Sequence, residues 1–456
     1  MAGLAVTTFA STELADDTIR LCRLTHGGGD RALVFDGGRV VDVDRFERDV
    51  RGVAALLPDA RHAINLCEDR YRFLVAFCAA MVRGQTTLLP PSRAPAVIGD
   101  VLTRHAASYC IGDGELAPNP PRYLRLPVEL PQRDGAPLQV DRDALVAIGF
   151  TSGSTGQPQP NAKTWSAFTA STRQNVAALA DLLEGDRAAV VATVPPQHMY
   201  GMEMSVLLPL LSAVAVHAGR PFFPADIAAA VAEAPVPPLL VTTPVHLRAL
   251  VASDVVLPPL AAIVSATAPL SHELARAAEH RFGCEVREVF GSTETCVIAR
   301  RRTAHEIAWT PLPGVHITAH ETGTVIAAPH LAQPVLLADR FELRVDGRFE
   351  LLGRDADLLE IAGKRASLGD LTRRLLAVPG VEDGVVFQLD AADAGGVHRI
   401  AALAVAPGLD AEAILDALRA HLDPVFLPRP LRCVAALPRN ETGKLPRHAL
   451  LALMQG

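Results

Sequence analysis

The stretch F-T-S-G-S-T-G-Q-P-Q-P-N-A-K-T-W, from Phe150 to Trp165, follows an apolar run that begins at Leu145. Four hydroxyl side chains and two glycines fill its first turn, which comprises Thr151, Ser152, Gly153, Ser154, Thr155 and Gly156. Glycine lets backbone N–H groups approach an anion closely, and the hydroxyls add further donors. The pattern favours a phosphate-binding loop after a strand. It is not the P-loop pattern, because no G-K-[ST] follows Gly156, and alone it is equally consistent with a surface turn.

Short apolar runs alternate with helical stretches through most of the chain. The sequence predicts strands over 188–194, 239–242, 261–265 and 285–289, and helices over 227–234 and 272–280. This alternation is typical of an α/β fold whose sheets are largely parallel.

The pattern changes after Asp339. The stretch R-F-E-L-R-V-D-G-R-F-E-L-L-G-R predicts a hairpin with a turn at Asp346-Gly347. A small α+β pattern follows, with helices over 368–377 and 411–422 and strands over 385–389, 398–405 and 432–436. We therefore expect a large multi-layer N-terminal α/β domain (residues 1–352) and a small, mobile C-terminal α+β domain (residues 353–456).

Composition excludes several classes of function. The 456 residues are 49% hydrophobic and carry a net charge of −7, with no basic block, so nucleic acid is not an expected partner. The longest apolar run, residues 204–216, contains Pro209 and is too short to cross a bilayer, so no integral membrane segment is expected. Seven cysteines without a CxxC pair fit a reducing cytoplasm, with Cys296 a packed structural thiol.

Three further segments share the chemistry of the first stretch. They are E-V-F-G-S-T-E-T (Glu288–Thr295), G-R-D-A-D-L-L-E-I-A-G-K-R (Gly353–Arg365) and P-R-N-E-T-G-K-L-P-R (Pro438–Arg447). A carboxylate beside a phosphate-binding turn is the residue type that Mg²⁺ requires. In this order and spacing, the four segments resemble the adenylate-forming superfamily of acyl-CoA synthetases, aryl-acid ligases, luciferases and peptide-synthetase adenylation domains. The resemblance covers essentially the whole chain.

The resemblance implies ATP and Mg²⁺ as cofactors and a two-step reaction. A carboxylate attacks the α-phosphate of ATP to give an acyl-adenylate and pyrophosphate, and a thiol then attacks the adenylate after the small domain rotates. The residues it assigns are Thr151–Gly156 on the β- and γ-phosphates, Phe290 and Gly291 at the adenine, Thr293 on the α-phosphate, Glu294 on Mg²⁺, Asp339 and Arg354 on the ribose, and Lys444 as catalytic lysine of the first step.

The chain departs from the family pattern in three places. The usual loop lysine is missing, since Gln159 and Pro160 occupy its surroundings, and Lys163 either replaces it or is a solvated surface lysine. The usual Thr-Gly is absent before Asp339. The expected hinge residue is Ala356, flanked by Asp355 and Asp357, and the sequence does not decide among the three.

The acid pocket is expected around two segments. P-P-Q-H-M-Y-G-M-E-M-S resembles the family's H-x-x-G segment and offers His198 as a gate residue (or a core histidine), with Tyr200 and Gly201 in the pocket wall. The stretch that begins with Ser265 is expected to line the pocket, and Ala266 and Thr267 stand where many members have glycines, so their side chains predict a narrow pocket for a short or planar acid. Thr243 and His246 either bind a ring hydroxyl or cap the next helix.

The sequence also bears on the substrate and the acceptor. No Asp occurs from His198 to Arg220 to pair an ammonium group, and Glu203 does not match the position, so an amino acid is not expected. The loop variant G-x-P-Q-P-x-x-K-T-W and the short region before it resemble the ligases of aryl polyene and xanthomonadin pigment pathways. These load hydroxybenzoate-type aromatic acids onto a holo acyl carrier protein. Two alternatives remain: an aryl- or acyl-CoA synthetase that uses free CoA, and a catalytically weakened nucleotide-binding protein.

Overall fold

A computed structural model describes residues 20–90, 92–116, 118–152, 158–183, 188–354, 358–361, 364–392, 398–419, 422, 424–440 and 443–455. The helices are α1 (Val43–Ala54), α2 (Arg70–Val82), α3 (Pro95–Arg104), α4 (Trp165–Leu179), α5 (Met199–Met202), α6 (Leu208–Leu211), α7 (Pro224–Ala232), α8 (Pro244–Ala252), α9 (His272–Phe282), α10 (Leu368–Leu376), α11 (Ala411–Arg419) and α12 (Arg447–Gln455). A π-helical turn (Glu203–Leu207) joins α5 to α6, and a 3₁₀ turn covers Pro424–Phe426.

The strands up to the middle of the chain are β1 (Leu21–Arg23), β2 (Ala32–Asp36), β3 (Arg39–Asp42), β4 (His62–Asn65), β5 (Thr86–Leu89), β6 (Ser108–Gly112), β7 (Tyr123–Arg125), β8 (Gln139–Asp141), β9 (Leu145–Ser152), β10 (Pro158–Thr164), β11 (Ala188–Ala192), β12 (Val214–His217), β13 (Leu239–Thr242) and β14 (Ala262–Ser265). The later strands are β15 (Glu285–Ser292), β16 (Cys296–Arg301), β17 (Thr310–Pro311), β18 (His316–His320), β19 (Gly323–Ala327), β20 (Val335–Leu337), β21 (Asp339–Leu343), β22 (Phe349–Arg354), β23 (Leu358–Ile361), β24 (Lys364–Ser367), β25 (Asp383–Ala392), β26 (His398–Val405) and β27 (Leu431–Cys433).

Two large sheets form the N-terminal part. One has the strand order β10-β9-β5-β4-β6-β7 and is parallel except for the β9–β10 hairpin. The other has the order β17-β16-β15-β14-β13-β11-β12-β2-β3, with a parallel centre and antiparallel edges. The central strands β13 and β14 are completely buried, because helices cover both faces of the sheet, as their apolar sequences predict. The predicted α/β fold with its smaller C-terminal α+β part is confirmed.

The carboxyl ends of the parallel strands place the candidate site. In the nine-stranded sheet, β11, β13, β14 and β15 are adjacent and run in one direction, and the segments with His198, Thr243, Ser265 and Thr293 follow them in turn. Ligands of open α/β sheets bind at this edge. The sheet therefore gathers residues that lie far apart in the sequence.

Two sequence expectations need correction. Thr151 and Ser152, expected in a loop, are the last residues of β9 and pair with Gln159 and Pro158 of β10. The helix expected over 227–234 begins earlier, at Pro224, because proline suits the first helical position and Asp226 accepts from the backbone N–H of Phe223.

The C-terminal part has its own hydrophobic clusters. Leu371, Leu375, Ile400, Ile414 and Leu418 lie in one of them, between α10, α11 and the β25–β26–β27 sheet. The predicted hairpin is formed by β21 and β22, and Gly347 takes a φ of 80° in its turn, which explains the glycine there. The proposed boundary at residue 353 lies at the end of β22, between Phe349 of the large core and Leu368 of the small one. Within the described residues, every helix is too short or too polar to cross a bilayer.

Candidate active site

The aromatic-G-S-T-E segment forms the hairpin between β15 and β16. A Cβ on Gly291 would lie 2.1 Å from the carbonyl oxygen of Cys296, so only glycine fits. Cys296 itself is buried with a φ of 57°, a conformation that is uncommon outside glycine and is often found at functional sites. Ser292 and Thr295 exchange hydrogen bonds across the turn. The turn is thus closed tightly and presents Thr293 and Glu294 at its tip.

Thr293 lies directly over strand β9. A Cβ on Gly149 would lie 2.6 Å from the methyl group of Thr293, so a glycine in β9 is needed for this approach. Thr293, Gly149, Gln197 and His198 help to line a cleft of about 20 Å³. The amide nitrogen of Gln197 is buried there without a hydrogen-bond partner among the described residues. The structure therefore brings Thr293 and His198 to one cleft, as expected, and adds Gln197, which sequence reasoning missed.

Glu294 fits the magnesium site that was expected. Its side chain is half-buried, and within the described part of the chain its carboxylate has no hydrogen-bond or ion-pair partner. A half-buried carboxylate left open at a phosphate-binding edge is a suitable ligand for a hard divalent cation. The magnesium role remains a proposal.

His198 is the N-cap residue of the short helix α5. Its backbone carbonyl accepts from Met202, and burial together with the positive charges of Lys444 and Arg220 lowers its pKa to about 4. The imidazole is therefore neutral at neutral pH, and the ε-amine of Lys444 is near enough for its charge to be felt.

Gly201 is the residue on which the H-x-x-G segment depends. A Cβ there would lie 1.9 Å from the carbonyl oxygen of Pro195. We expect Gly201→Ala to lower the free energy of unfolding by about 2–4 kcal/mol, because the clash is with rigid backbone. Urea unfolding followed by circular dichroism measures this.

The matched control is Gly99→Ala in helix α3, where a Cβ meets no atom within 4 Å. Alanine favours helix, so this variant should be at least as stable as the wild type. A Gly201→Ala protein as stable as the control would show that the α5 turn is not built as described.

The acid-pocket candidates surround the end of β14. Tyr200 is buried, and its hydroxyl donates to the carbonyl of Val264 (2.8 Å), which ties α5 to the strand. Ser265 is fully buried and its hydroxyl has no partner among the described residues. Thr267 has a φ of 80°, so it occupies a backbone position that glycine prefers. This agrees with its expected place in a glycine-containing motif.

The V-T-T-P-V-H stretch has a mixed role. Thr243 caps helix α8 by accepting from the backbone N–H of His246, so of its two predicted roles the structure shows capping. The Nδ1 atom of His246 lies 2.8 Å from the Thr193 hydroxyl, which in turn lies 3.0 Å from that of Thr242. Burial lowers the pKa of His246 to about 4. The group is a neutral polar chain at the carboxyl ends of β11 and β13.

The two residues expected at the ribose are neighbours. Asp339 and Arg354 are cross-strand partners at the open end of the β21–β22 hairpin. Phe290 lies nearby in an aromatic cluster with Trp309 and Phe341, whose ring centroids are 5.5 and 5.6 Å away, and it stays partly exposed. The pairing supports the position of Asp339 despite the missing Thr-Gly.

The segment that carries Lys444 is braced by an arginine and an aspartate. Arg439 donates two hydrogen bonds to the Asp383 carboxylate (2.7 and 2.9 Å) and a third to the carbonyl of Gly443 (2.7 Å). Asn440 binds the Lys444 backbone from both sides, through its side chain and its own N–H. Gly443 takes a φ of 77°, as expected for the tight turn before Lys444.

Asp383 also reaches the N-terminal part. Arg248 of helix α8 lies 3.5 Å from its carboxylate, while the Lys444 turn approaches Val245 of the same helix. The surrounding interface is loose, with a cleft of about 260 Å³ beside Arg248 and Leu376. One carboxylate therefore joins helix α8 to the turn that carries Lys444, and sequence reasoning missed both Asp383 and Arg439.

We expect Asp383→Asn to slow adenylate formation about tenfold, because the amide loses the charge that attracts both arginines. Acid-dependent ATP–pyrophosphate exchange measures this step. Transfer from a supplied acyl-adenylate should stay within twofold of wild type. Asp416→Asn, which breaks the exposed pair with Arg419, is the control and should change neither step. An equal loss of both steps in Asp383→Asn would refute the positioning role.

Lys163 is not a solvated surface lysine. It is 4% exposed on β10, and its amine donates to the backbone carbonyl of Glu294 (2.7 Å).

Glu203 is likewise buried and is bound by Ser171, Asn175 and the N–H of Val297. Glu203 is therefore not available to pair a substrate ammonium, in agreement with the sequence expectation.

Several expectations fall outside the described residues. Among the phosphate-loop candidates, Gly153, Ser154, Thr155 and Gly156 do so, and so do the three hinge candidates, Asp355, Ala356 and Asp357. The roles of these residues remain predictions.

Comparison with known proteins places the chain in a family. The model of the AMP-binding enzyme family matches residues 61–327, which is more than half of the chain. The chain belongs to the AMP-binding enzyme family. It is an acid–thiol ligase of the adenylate-forming superfamily and binds ATP.

Three known proteins show the range of this similarity. A 4-coumarate–CoA ligase from Halorhodospira halophila is 32% identical over 304 residues, covering 65% of this chain and 73% of that protein. An L-proline–[L-prolyl-carrier protein] ligase from Pseudomonas fluorescens is 32% identical over 134 residues, 28% of this chain and 26% of that one. The solved o-succinylbenzoate-CoA synthetase of Bacillus subtilis, with its acyl-adenylate, has a TM-score of 0.78 at 17% identity and covers 92% of this chain and 95% of that one. This chain shares the fold of that synthetase.

Proposed function

We propose that this ligase activates a hydroxybenzoate-type aromatic acid as its adenylate and transfers the acyl group to the phosphopantetheine thiol of an acyl carrier protein. The observation that carries the choice of acid is the fully buried hydroxyl of Ser265 at the end of β14, which has no hydrogen-bond partner among the described residues. A buried hydroxyl without a partner is costly, and a ring hydroxyl of the substrate would satisfy it. The side chains of Ala266 and Thr267 beside it favour a planar acid over a long chain.

The absence of a suitable carboxylate argues against an amino acid. Glu203 is the acidic residue nearest to His198 in the sequence, and its oxygens are occupied by three donors in the core. Glu203 is thus not available to pair an ammonium group brought into the pocket, and an unpaired charge is strongly unfavourable in a buried site.

In the proposed first step, a carboxylate oxygen attacks the α-phosphorus while the bond to the pyrophosphate oxygen breaks. The ε-ammonium of Lys444 stabilises the negative charge that develops on the α-phosphate oxygens, and the Thr293 hydroxyl donates to one of them. Glu294 would hold Mg²⁺, which supplies charge neutralisation when bound. In the second step, the thiol sulfur attacks the acyl carbon and AMP leaves.

The acceptor is proposed from the loop sequence. The variant G-x-P-Q-P-x-x-K-T-W resembles the carrier-protein ligases of aryl polyene and xanthomonadin pathways, and one relative is named as a carrier-protein ligase. Free CoA is the second candidate, because the longer match is to a CoA ligase.

An intact-mass competition assay tests both proposals. The enzyme is incubated with ATP, Mg²⁺ and a panel of aromatic, short aliphatic, long-chain and amino acids, with CoA and a holo carrier protein present together. We expect acyl mass on the carrier protein, strongest with hydroxybenzoates. Acyl-CoA with the carrier untouched would refute the proposed acceptor, and a long-chain or amino acid as best substrate would refute the pocket assignment.

A further inference from the structure

Three buried ionisable side chains hold the segment that follows Thr293. The Lys163 amine donates to the carbonyl of Glu294 (2.7 Å), the Nε2 atom of His330 donates to the carbonyl of Thr295 (2.6 Å), and the Glu203 carboxylate accepts from the N–H of Val297 (3.1 Å). Each contact is to the backbone of the 294–297 segment. The three side chains come from β10, the loop after β19 and the π-helical turn, which are far apart in the sequence.

These side chains are buried as deeply as the apolar core. Lys163 and His330 are 4% exposed and Glu203 is 1% exposed. Removing a charged group from water is costly unless it is paired or hydrogen-bonded, and well-packed apolar residues often give equal or better stability. Stability alone therefore gives no reason for an ionisable residue at three neighbouring positions.

Two of the three, Glu203 and His330, have a second support. Ser171 and Asn175 donate to Glu203 at 2.6 and 3.1 Å, and the Nδ1 atom of His330 lies 2.5 Å from the side-chain oxygen of Gln174. Gln174 is in turn fixed by its contact with the carbonyl of Pro313 (2.6 Å). A side chain that is already fixed by other hydrogen bonds loses little further conformational freedom when it binds the backbone. It can therefore define the position of that backbone closely.

The choice of lysine is also informative. The chain has 43 basic residues, and only Lys163, Lys364 and Lys444 among them are lysines. A lysine amine on a flexible stem can place a single strong donor inside a core, where a guanidinium would require several acceptors. A lysine suits the position beside Glu294, because the backbone carbonyl of Glu294 is a single acceptor for its amine.

We propose that Lys163, Glu203 and His330 are positioning residues that set the place of Thr293 and Glu294 for adenylate formation. The inference rests on the roles proposed above for these two residues. Lys163 thus acts on the nucleotide site through the backbone of Glu294, instead of replacing the missing loop lysine. A displacement of about 1 Å at a reacting group can cost roughly a hundredfold in rate. The loss of one of these positioning contacts should therefore have a measurable effect on the rate of adenylate formation.

The test separates positioning from stability with matched variants. Lys163→Met removes the donor at nearly constant volume. His330→Leu removes the second donor, whereas His330→Gln keeps an N–H at the end of a side chain of similar reach. Each protein is measured by urea unfolding, by acid-dependent ATP–pyrophosphate exchange as a function of MgATP, and by acyl transfer from a supplied adenylate.

We expect Lys163→Met and His330→Leu to lower the turnover of exchange by about thirtyfold, with transfer from the adenylate within twofold of wild type. His330→Gln should recover most of the exchange rate. Exchange near the wild-type rate in folded Lys163→Met and His330→Leu would overturn the inference. So would losses of both half-reactions in parallel, or a His330→Gln protein as slow as His330→Leu.

If Lys163→Met does not fold, the two His330 variants decide the question. If the wild-type protein shows no ATP–pyrophosphate exchange with any acid tested, the proposed function is contradicted, but the positioning role of Lys163, Glu203 and His330 is not. In that case the positioning role is judged by calorimetric titration with MgATP, where His330→Leu should bind at least fivefold more weakly than His330→Gln, and equal affinities would overturn it.

Discussion

Lys444→Ala should abolish adenylate formation, with acid-dependent pyrophosphate exchange falling at least a thousandfold. The turn held by Arg439 and Asn440 carries Lys444, and the positive charge of Lys444 contributes to the lowered pKa of His198. Removing one charged group that stabilises a developing negative charge typically costs a hundred- to a thousandfold, and an in-line phosphoryl transfer depends almost wholly on such groups.

The same variant should transfer acyl groups from a supplied adenylate to the thiol at close to the wild-type rate. Lys444→Arg keeps the charge but not the shape of the donor and should recover only a small part of the exchange activity. Equal losses in the two half-reactions for Lys444→Ala would contradict the assignment of this lysine to the first step.

The second large effect is expected for Glu294→Gln. The side-chain amide keeps the size of the carboxylate and loses the charge that a divalent cation needs, so exchange should fall about a hundredfold. Raising the Mg²⁺ concentration should recover part of the rate, because the loss is one of metal affinity. Exchange assays over a range of Mg²⁺ at saturating ATP measure this.

Glu321→Gln removes an exposed carboxylate in the turn between β18 and β19 and serves as the control. It should follow the wild-type Mg²⁺ dependence. A Glu294→Gln protein with normal exchange at low Mg²⁺ would show that the metal ligand lies elsewhere.

The fold was largely predictable because its signals are local. Apolar runs such as Leu239–Thr242 and Ala262–Ser265 become fully buried parallel strands, and the Asp346-Gly347 turn closes the hairpin where it was expected. The exception is the end of β9. Ser, Thr and Gly indicate turns locally, but Thr151 and Ser152 pair with Gln159 and Pro158 of β10, and this pairing overrides their preference.

The sequence predicted the place of a site residue only where that residue belongs to a motif of neighbouring residues. Thr293, Glu294, Ser265 and Asp339 are all found at the carboxyl edge of the sheet or at the hairpin beside it. The partners that hold them were not predictable, because contacts such as Lys163 with Glu294 join residues more than a hundred positions apart. A lysine in a polar sequence gives no local sign of burial. Arg439 stands in the P-R-N-E-T-G-K-L-P-R segment, so its place near Lys444 could have been noticed. Its partner Asp383 lies on a distant strand, and no local pattern connects the two residues.

The carboxylate of Asp383, shared between Arg248 and Arg439, has a consequence for fidelity. Helix α8, which carries Arg248, is capped by Thr243, a residue expected in the acid pocket, and lies close to the Lys444 turn through Val245. We expect an ill-fitting acid that displaces the start of α8 to shift Arg248, and with it the Asp383 carboxylate that Arg439 binds. Such an acid should then be rejected twice, once by weak binding and again by slow adenylate formation.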